Sequence, residues 1–438
     1  MTTKITNANI TNTGVTAGSY TNANITVNAQ GQLTSASSGS SGVSWQAVQT
    51  TGFTAVSGRG YPCNTTSAAF TVTLPASPTA GDLITLVDYA GTWDTNNLTI
   101  ARNGSNINGL AVNGIVSTER GAVNLVYVDS TQGWVSYASN LATSIVQAIT
   151  ATGGNEVKTV GSYKYHIFTA SGTFTVTAGA GIAFEVMSCG GGGGGELNVQ
   201  GAGGAAELDL FTSVTASAGS YTVTVGAKGT AGSGTKGGTS SFALGGTTYL
   251  SSLGGGAGSG AVGGTGGSGG GGGNGNGAGG PASGSNTNVG GAGYGDGANR
   301  FGGGGGGGAT QAGTAAGLSG GNPVGGNGGQ GYTLTNIDSN FTAANFTSFT
   351  GMTVICSGGG GGALNKNSGG AVTRGVGGTG AGSGGANSGP SPSTNINVAT
   401  SATSFGSGGG GGGWDNGNPN NVAAGDGYAG VVIIRYLA

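Results

Sequence analysis

Phe184-Glu-Val-Met-Ser-Cys189 runs directly into Gly190–Gly195, and Met352-Thr-Val-Ile-Cys356 leads through Ser357 into Gly358–Gly362. Further runs cover Gly269–Gly273, Gly302–Gly308 and Gly408–Gly413, with a looser one over Gly254–Gly267. Glycine loses more backbone entropy on folding than any other residue, roughly 0.5–1 kcal/mol relative to alanine. A block of five to seven therefore stays disordered or sits where a Cβ would clash. Polyglycine can form extended left-handed helices with three residues per turn and no internal hydrogen bonds. Its N–H and C=O groups then point outward, and a lattice of such helices satisfies every one of them. The sequence thus predicts runs lying side by side, with the intervening residues presented as loops at the lattice ends.

Composition sharpens this expectation. Glycine is 106 of 438 residues, about 24% against ~7% in ordinary proteins. Only 20 fall in residues 1–180 and 86 in residues 181–438. No strict Gly-X-Y period exists and there are 8 prolines, so collagen is excluded. Disordered linker is the competing reading of the glycine-rich part. Strand-like segments such as Tyr221-Thr-Val-Thr-Val225 and Val431-Val-Ile-Ile434 between the glycines argue for order.

Charged residues are 6% and the net charge is −2, with 12 Lys plus Arg. No basic patch supports phosphate-driven nucleic-acid binding, so no nucleic-acid partner is expected. No stretch approaches 18 apolar residues, so membrane insertion is not expected either. Met1-Thr-Thr-Lys-Ile-Thr has no apolar core and does not read as a secretory signal. Cys63, Cys189 and Cys356 are too few for a disulfide framework and read as small buried side chains. Cys189 and Cys356 hold similar places before glycine runs and are candidate neighbours, with pairing as the minor alternative.

The expected fold class is all-β throughout. Residues 1–43 form an attachment arm or thin shaft, in which Thr6-Asn-Ala-Asn-Ile-Thr11 recurs as Thr21-Asn-Ala-Asn-Ile-Thr26. Single apolar residues among polar ones (Ile5, Ile10, Val15, Ile25, Val27, Leu33) bury little in one chain. Several identical chains could turn them inward; a flexible tail is the other reading. Residues 44–140 read as a β-sandwich or jelly-roll module. Phe70-Thr-Val-Thr-Leu74 alternates, and Asn103-Gly104 and Asn113-Gly114 read as tight turns. Leu141, Ile145 and Ile149 recur at helical spacing, predicting a short helical linker within 141–152. Residues 153–438 read as short strands and packed polyglycine II helices, closed by Gly430-Val-Val-Ile-Ile-Arg-Tyr436 as a central strand.

These segments carry a family resemblance. Gly153-Gly154, Tyr163–Phe168, Ser171-Gly-Thr-Phe-Thr-Val176, the strand into Gly190–Gly195 and the closing Gly427-Tyr-Ala-Gly-Val-Val-Ile-Ile-Arg435 resemble the glycine-rich domain of bacteriophage tail-fibre proteins. Gly58-Arg-Gly-Tyr-Pro-Cys-Asn-Thr-Thr66, Thr71-Val-Thr-Leu-Pro-Ala-Ser-Pro78 and Leu125-Val-Tyr-Val-Asp-Ser130 resemble a β-module of phage fibres, as does Ile25-Thr-Val-Asn-Ala-Gln-Gly-Gln-Leu-Thr34. In T-even-type tip adhesins, polyglycine helices carry variable loops that touch the host receptor. The resemblance implies a virion fibre assembled in the host cytoplasm. It also implies a homotrimer, joined to phage tail or capsid proteins by its N-terminal arm. Its partner would be a host surface glycan or outer-membrane protein. Here the arm and β-module share one chain with the glycine-rich part, which suggests a complete short fibre rather than a detachable tip.

Candidate contacts are aromatic and amide residues between glycine runs: Tyr294, Asp296, Asn299, Arg300 and Phe301 in one loop, and Trp414, Asp415, Asn416 and Asn418 in another. An aromatic ring beside amides and an acid suits sugar faces or a protein receptor. The plain alternative is that Phe301 and Trp414 pack on the lattice edge. A purely architectural capsid-decorating or tail-joining fibre is the rival function. An enzyme is a distant third. Glycoside cleavage needs two placed carboxylates, and Glu185, Glu196, Glu207 and Asp209 flank the first run without a supporting motif. His166, the single histidine, lies among aromatics with no nucleophile signature. No catalytic residue, metal ligand or cofactor is expected.

Overall fold

The computed structural model describes residues 14–39, 42–137, 146–147, 149–179, 181–198, 200–232, 234–297, 299–365, 372–388, 396–413 and 423–438. It is almost entirely β-structure, as expected, in two units covering residues 1–147 and 148–438.

In the first unit, Asn24–Val27 pairs antiparallel with Leu33–Ser37. The Asn28 side chain shapes the turn, its Oδ1 accepting from the N–H groups of Gln30 and Gln32. Ile25, Val27 and Leu33 remain exposed on this two-stranded sheet. Such hairpins are marginal alone in water.

The rest of the unit is a pair of five-stranded sheets. One orders Gly133–Tyr137, Ala122–Asp129, Leu83–Asp88, Arg59–Cys63 and Ser44–Trp45; the other orders Val146–Gln147, Gly114–Val116, Leu98–Ala101, Phe70–Thr73 and Phe53–Thr54. They bury a common core that includes Cys63, Leu74, Leu86, Trp93, Ile100 and Trp134. The two layers match a sandwich, but the winding is not that of a jelly roll. From Ser44 to Ala101 the chain alternates between the sheets, so successive strands within each sheet are parallel. Asn103-Gly104 makes the expected turn, both φ being positive. Asn113-Gly114 does not: Gly114 begins a strand, and the second such turn is Asn108-Gly109.

The helical linker expected within 141–152 is also corrected. Val146–Gln147 adds a strand edge beside Gly114–Val116, and Thr150–Thr152 starts the second unit as a strand. β-Branched residues dominate this stretch and favour extended backbone, and ten residues are too few to hold a helix unaided. Residues 141–145 lie outside the described residues.

The second unit begins with two antiparallel five-stranded sheets. One orders Thr150–Thr152, Gly172–Ala178, Gly219–Thr224, Ser240–Leu244 and Thr247–Ser252; the other orders Glu156–Val160, Tyr163–Phe168, Val431–Leu437, Ala183–Cys189 and Leu208–Thr215. The closing strand is central, as its apolar run predicts. Its period of two sends Val432, Ile434 and Tyr436 into a core with Phe174, Phe184, Tyr221 and Phe242. Val431 and Ile433 face the other way, toward Phe341, Phe346 and Phe349. Those phenylalanines belong to an excursion over residues 334–352 containing one helical turn, Leu334–Ile337, and a 3-10 turn, Thr347–Phe349. Buried Asp338 anchors it, accepting from the Tyr165 hydroxyl at 2.7 Å and from Arg435 Nη1 at 2.6 Å. Arg435 is held in turn by Glu185 at 2.8 Å and by the Phe211 ring, 3.9 Å from its centroid.

From Cys189 onward the strand becomes a rod of a different period. The N–H groups of Gly190 and Gly193 donate to Glu207 and Gly204, those of Gly191 and Gly194 to Gly238 and Thr235, and those of Gly192 and Gly195 to Tyr428 and Gly425. Each third residue thus meets the same antiparallel neighbour. Carbonyls complete the ring: Gly191 and Gly194 accept from Gly255 and Gly258, Gly192 and Gly195 from Gly229 and Gly232, and Gly193 from Gly409. Gly302–Gly308 repeats the arrangement, with Gly303 and Gly306 donating to Gly362 and Gly359, and Gly304 and Gly307 to Gly272 and Gly269. This is the three-residue turn and outward bonding of packed polyglycine II helices.

The spacing leaves no room for side chains. A Cβ on Gly192 would overlap the Ser407 carbonyl, one on Gly193 the Gly256 carbonyl, and one on Gly306 the Gly203 carbonyl, each well inside 3.0 Å. Because those neighbours are backbone, they cannot swing aside. Gly275, in a turn, has nothing within 4 Å of such an atom and no positive φ. Gly193→Ala is therefore expected to destabilise the second unit by at least ~1–3 kcal/mol, the range of overpacked cores. Gly275→Ala should stay within about 1 kcal/mol of the parent, in the stabilising direction. Thermal and urea unfolding of the two variants check the contrast.

Candidate functional site

The lattice has two ends, and the hydrogen-bond register assigns each turn to one of them. Cys189, Glu207, Leu253 and Ser357 lie where the rods meet the sheets. The opposite end follows from a chain of contacts. Gly412 N–H bonds to Glu196, Gly201 to Ser259, Ser259 to Gly271, Gly303 to Gly362 and Gly293 to Gly277. The turns after Gly195, Gly258, Gly273, Gly293 and Gly362 thus gather on one face.

A small sheet caps this face. It orders Tyr294–Gly295, Arg300–Gly302, Ala363–Asn365, Ala386–Ser388 and Ile396–Asn397. Five of the expected contact residues lie here. Tyr294, Asn299, Arg300 and Phe301 are half-buried and Asp296 is exposed. Asp296 shapes the loop, its Oδ1 accepting from the N–H groups of Asn299 and Arg300 at 2.9 and 3.0 Å. Its Oδ2 binds Arg300 Nε at 2.7 Å, which raises the guanidinium pKa. Arg300 Nη1 also donates to the Gly321 carbonyl, tying in the Gly317–Ser319/Asn322–Val324 hairpin. Phe301 sits opposite Gly295 on one side and Leu364 on the other. The second expected group, Trp414, Asp415, Asn416 and Asn418, lies outside the described residues. Its approach is described: Gly408–Gly413 ends beside Glu196.

The sequence reading missed three residues on this face. Asn276 clamps the loop from behind, exchanging two amide bonds of 3.0 Å with the Gly295 backbone. The Asn274-Gly-Asn-Gly277 turn phrase was its signal. Among the described residues, Asn198 Oδ1 and Gln200 Oε1 are buried acceptors without a donor; in the same turn, burial pushes up the pKa of the Glu196 carboxyl.

Near the sheets, a cleft of about 650 Å³ opens beside Asn155, Glu156, Lys228, Ser348, Ser401 and Tyr428. Its charges are largely engaged. Glu156 accepts from the Thr347 and Ser348 N–H groups at 2.8 Å and from the Ser348 hydroxyl at 2.6 Å. Burial pushes that carboxyl up, but these bonds outweigh it and hold its pKa below the ordinary value. Lys228 Nζ lies 2.6 Å from Asp426.

Three of the four acidic residues around the first run are committed to the fold. Glu185 pairs with Arg435, Glu207 accepts from Leu253 and Ser285 N–H, and Asp209 accepts from Ser252. Among the described residues no group of three or more His, Cys, Asp or Glu is placed to hold a metal. His166 is buried, with Nδ1 2.6 Å from the Gly153 carbonyl and Nε2 2.9 Å from the Tyr436 hydroxyl. The carbonyl can only accept, so Nδ1 carries the proton and neutral Nε2 accepts from Tyr436, whose pKa burial raises to about 12. No protein-family model matches this chain, and the curated proteins include none similar to it.

Burial lowers the pKa of His166. Below its unfolded value of about 6.5, the unfolded chain takes up a proton that the folded one refuses. Stability is therefore full above that pH and falls as pH drops through it toward the folded pKa. Urea midpoints measured from pH 7.5 to 6, above the carboxylate range, should decline. His166→Gln should lower the midpoint and flatten the slope.

Proposed function

We propose that this chain is a structural fibre protein of a phage virion, a tail fibre or adhesin, that binds a host-cell surface receptor through loops between its polyglycine runs. The observation that carries this reading is the gathering of the inter-run turns on one face of a block whose interior glycines admit no Cβ. Loops anchored on such a block begin nearly ordered, and each side chain already immobilised avoids about 0.5–1.5 kcal/mol on binding. The presented chemistry is Tyr294 and Phe301 beside amides, with the Glu196 carboxyl as an acceptor. A host surface glycan or the loops of an outer-membrane protein would suit it.

A homotrimer joined to tail or capsid proteins through residues 1–43 accords with the exposed Ile25, Val27 and Leu33 on an otherwise marginal hairpin. Repeated copies on one particle would then raise avidity without new contacts.

One observation favours the architectural rival. Asp296 and Arg300 are spent on each other and on the Gly321 carbonyl, as expected of residues that only shape a loop. A fibre carrying Tyr294→Ala, Asn299→Ala and Phe301→Ala, and a second with 414–420 replaced by Gly and Ser, should assemble and melt like the parent. Receptor binding predicts that virions bearing either fibre adsorb to host cells at least about tenfold more slowly. Unchanged adsorption for both would leave the architectural function.

A further inference from the structure

Cys189 ends the strand that feeds Gly190–Gly195, and Cys356 follows Val354–Ile355 just ahead of Gly358–Gly362. Both are wholly buried, and 166 residues lie between them. Their sulfurs are 2.6 Å apart. Non-bonded heavy atoms settle at about 3.5–4.0 Å, whereas a disulfide is about 2.0 Å long. Both are free thiols in this structure, held closer than unbonded atoms settle.

Two independent features hold the sulfurs together. Cys356 has φ +57°, a left-handed conformation uncommon outside Gly, Asn and Asp. Backbone bonds fix it there: its N–H donates to Phe405 and its carbonyl accepts from Ala309, each at 2.9 Å. Such an outlier persists only where its surroundings over-determine it. The second feature is Gly406, where a Cβ would strike Sγ of both cysteines. A third segment is thus kept bare where the two sulfurs meet.

We propose that Cys189 and Cys356 are an oxidative cross-linking site whose co-reactant is a small-molecule disulfide. One thiolate attacks a sulfur of that disulfide, forming a mixed disulfide and releasing one thiol. The other thiolate then attacks the cysteine sulfur of the mixed disulfide, forming the Cys189–Cys356 bond and releasing the second thiol. The protein gives up two electrons and two protons, and the reagent's S–S bond takes them up. Burial disfavours the thiolate that exchange requires, so closure needs the pair uncovered, in an unfolded or locally opened chain, and a medium more oxidising than cytoplasm. The bond would join two glycine runs at the ends nearest the sheets. Cys63, buried in the first unit, takes no part.

The full chain is refolded with oxidised and reduced glutathione, then alkylated in denaturant and weighed intact. The expected count is one alkylated thiol per chain, at Cys63, with a non-reducing peptide map linking Cys189 to Cys356. The oxidised protein should melt about 5–10 °C above the same sample held in reductant. Chain produced directly in an oxidising compartment gives the same count without a refolding step. Three alkylated thiols from that material, or a link that includes Cys63, would overturn the assignment. Cys189→Ser, folded under the same conditions, should lose the melting difference; keeping it would also overturn the assignment.

Discussion

The glycine-rich unit depends on one contact repeated many times: a peptide N–H meeting a carbonyl on a chain so near that the intervening Cα can carry only hydrogen. In a sheet, a strand bonds to two neighbours and leaves its faces to side chains. A three-residue turn instead aims successive amides outward in three directions, so a single run such as Gly190–Gly195 is held from all sides. Interior runs have no open edge, and the exposed row of donors that makes a sheet edge a liability does not arise among them. The entropy glycine loses on ordering is offset by this complete bonding and by close approach.

The strands are what start the rods. Ala183–Cys189 alternates side chains between a core of aromatic rings and the excursion over 334–352, and then changes period at Cys189. Bonding to fixed neighbours aligns the first glycine, and each later one follows. The network of Asp338, Arg435, Glu185 and Tyr165 clamps the excursion onto the outer face of the same sheet. That network is charged and only partly buried, at Asp338 and Tyr165, so it specifies one docking geometry while giving little net stability.

What the sequence made legible was whatever a local pattern enforces. Glycine runs can be ordered only in a lattice, Val431–Leu437 is too apolar for a sheet edge, and Asn103-Gly104 needs two positive φ angles. What escaped was decided by distant partners. The short helix that spacing writes into Leu141–Thr150 meets a strand at Val146–Gln147, beside Gly114–Val116, and Gly114 entered a strand because that pairing was on offer. The alternation between sheets that makes the first module's strands parallel leaves no mark on any single strand. Five candidate contact residues fell on one face because they sit in a turn between runs, which the sequence did show. That Asp296 and Arg300 would satisfy each other depends on loop geometry, and the turn phrase around Asn276 carries no sign of its partner, Gly295.

The position of Val431–Leu437 has a consequence for biosynthesis. It lies between Tyr163–Phe168 and Ala183–Cys189, which are made more than two hundred residues earlier. Until the ribosome has delivered it, those two strands have no partner between them and the aromatic core stands open on one side. The nascent chain must hold its glycine-rich middle in waiting, and a prematurely terminated product is left without the wedge that would let it mature.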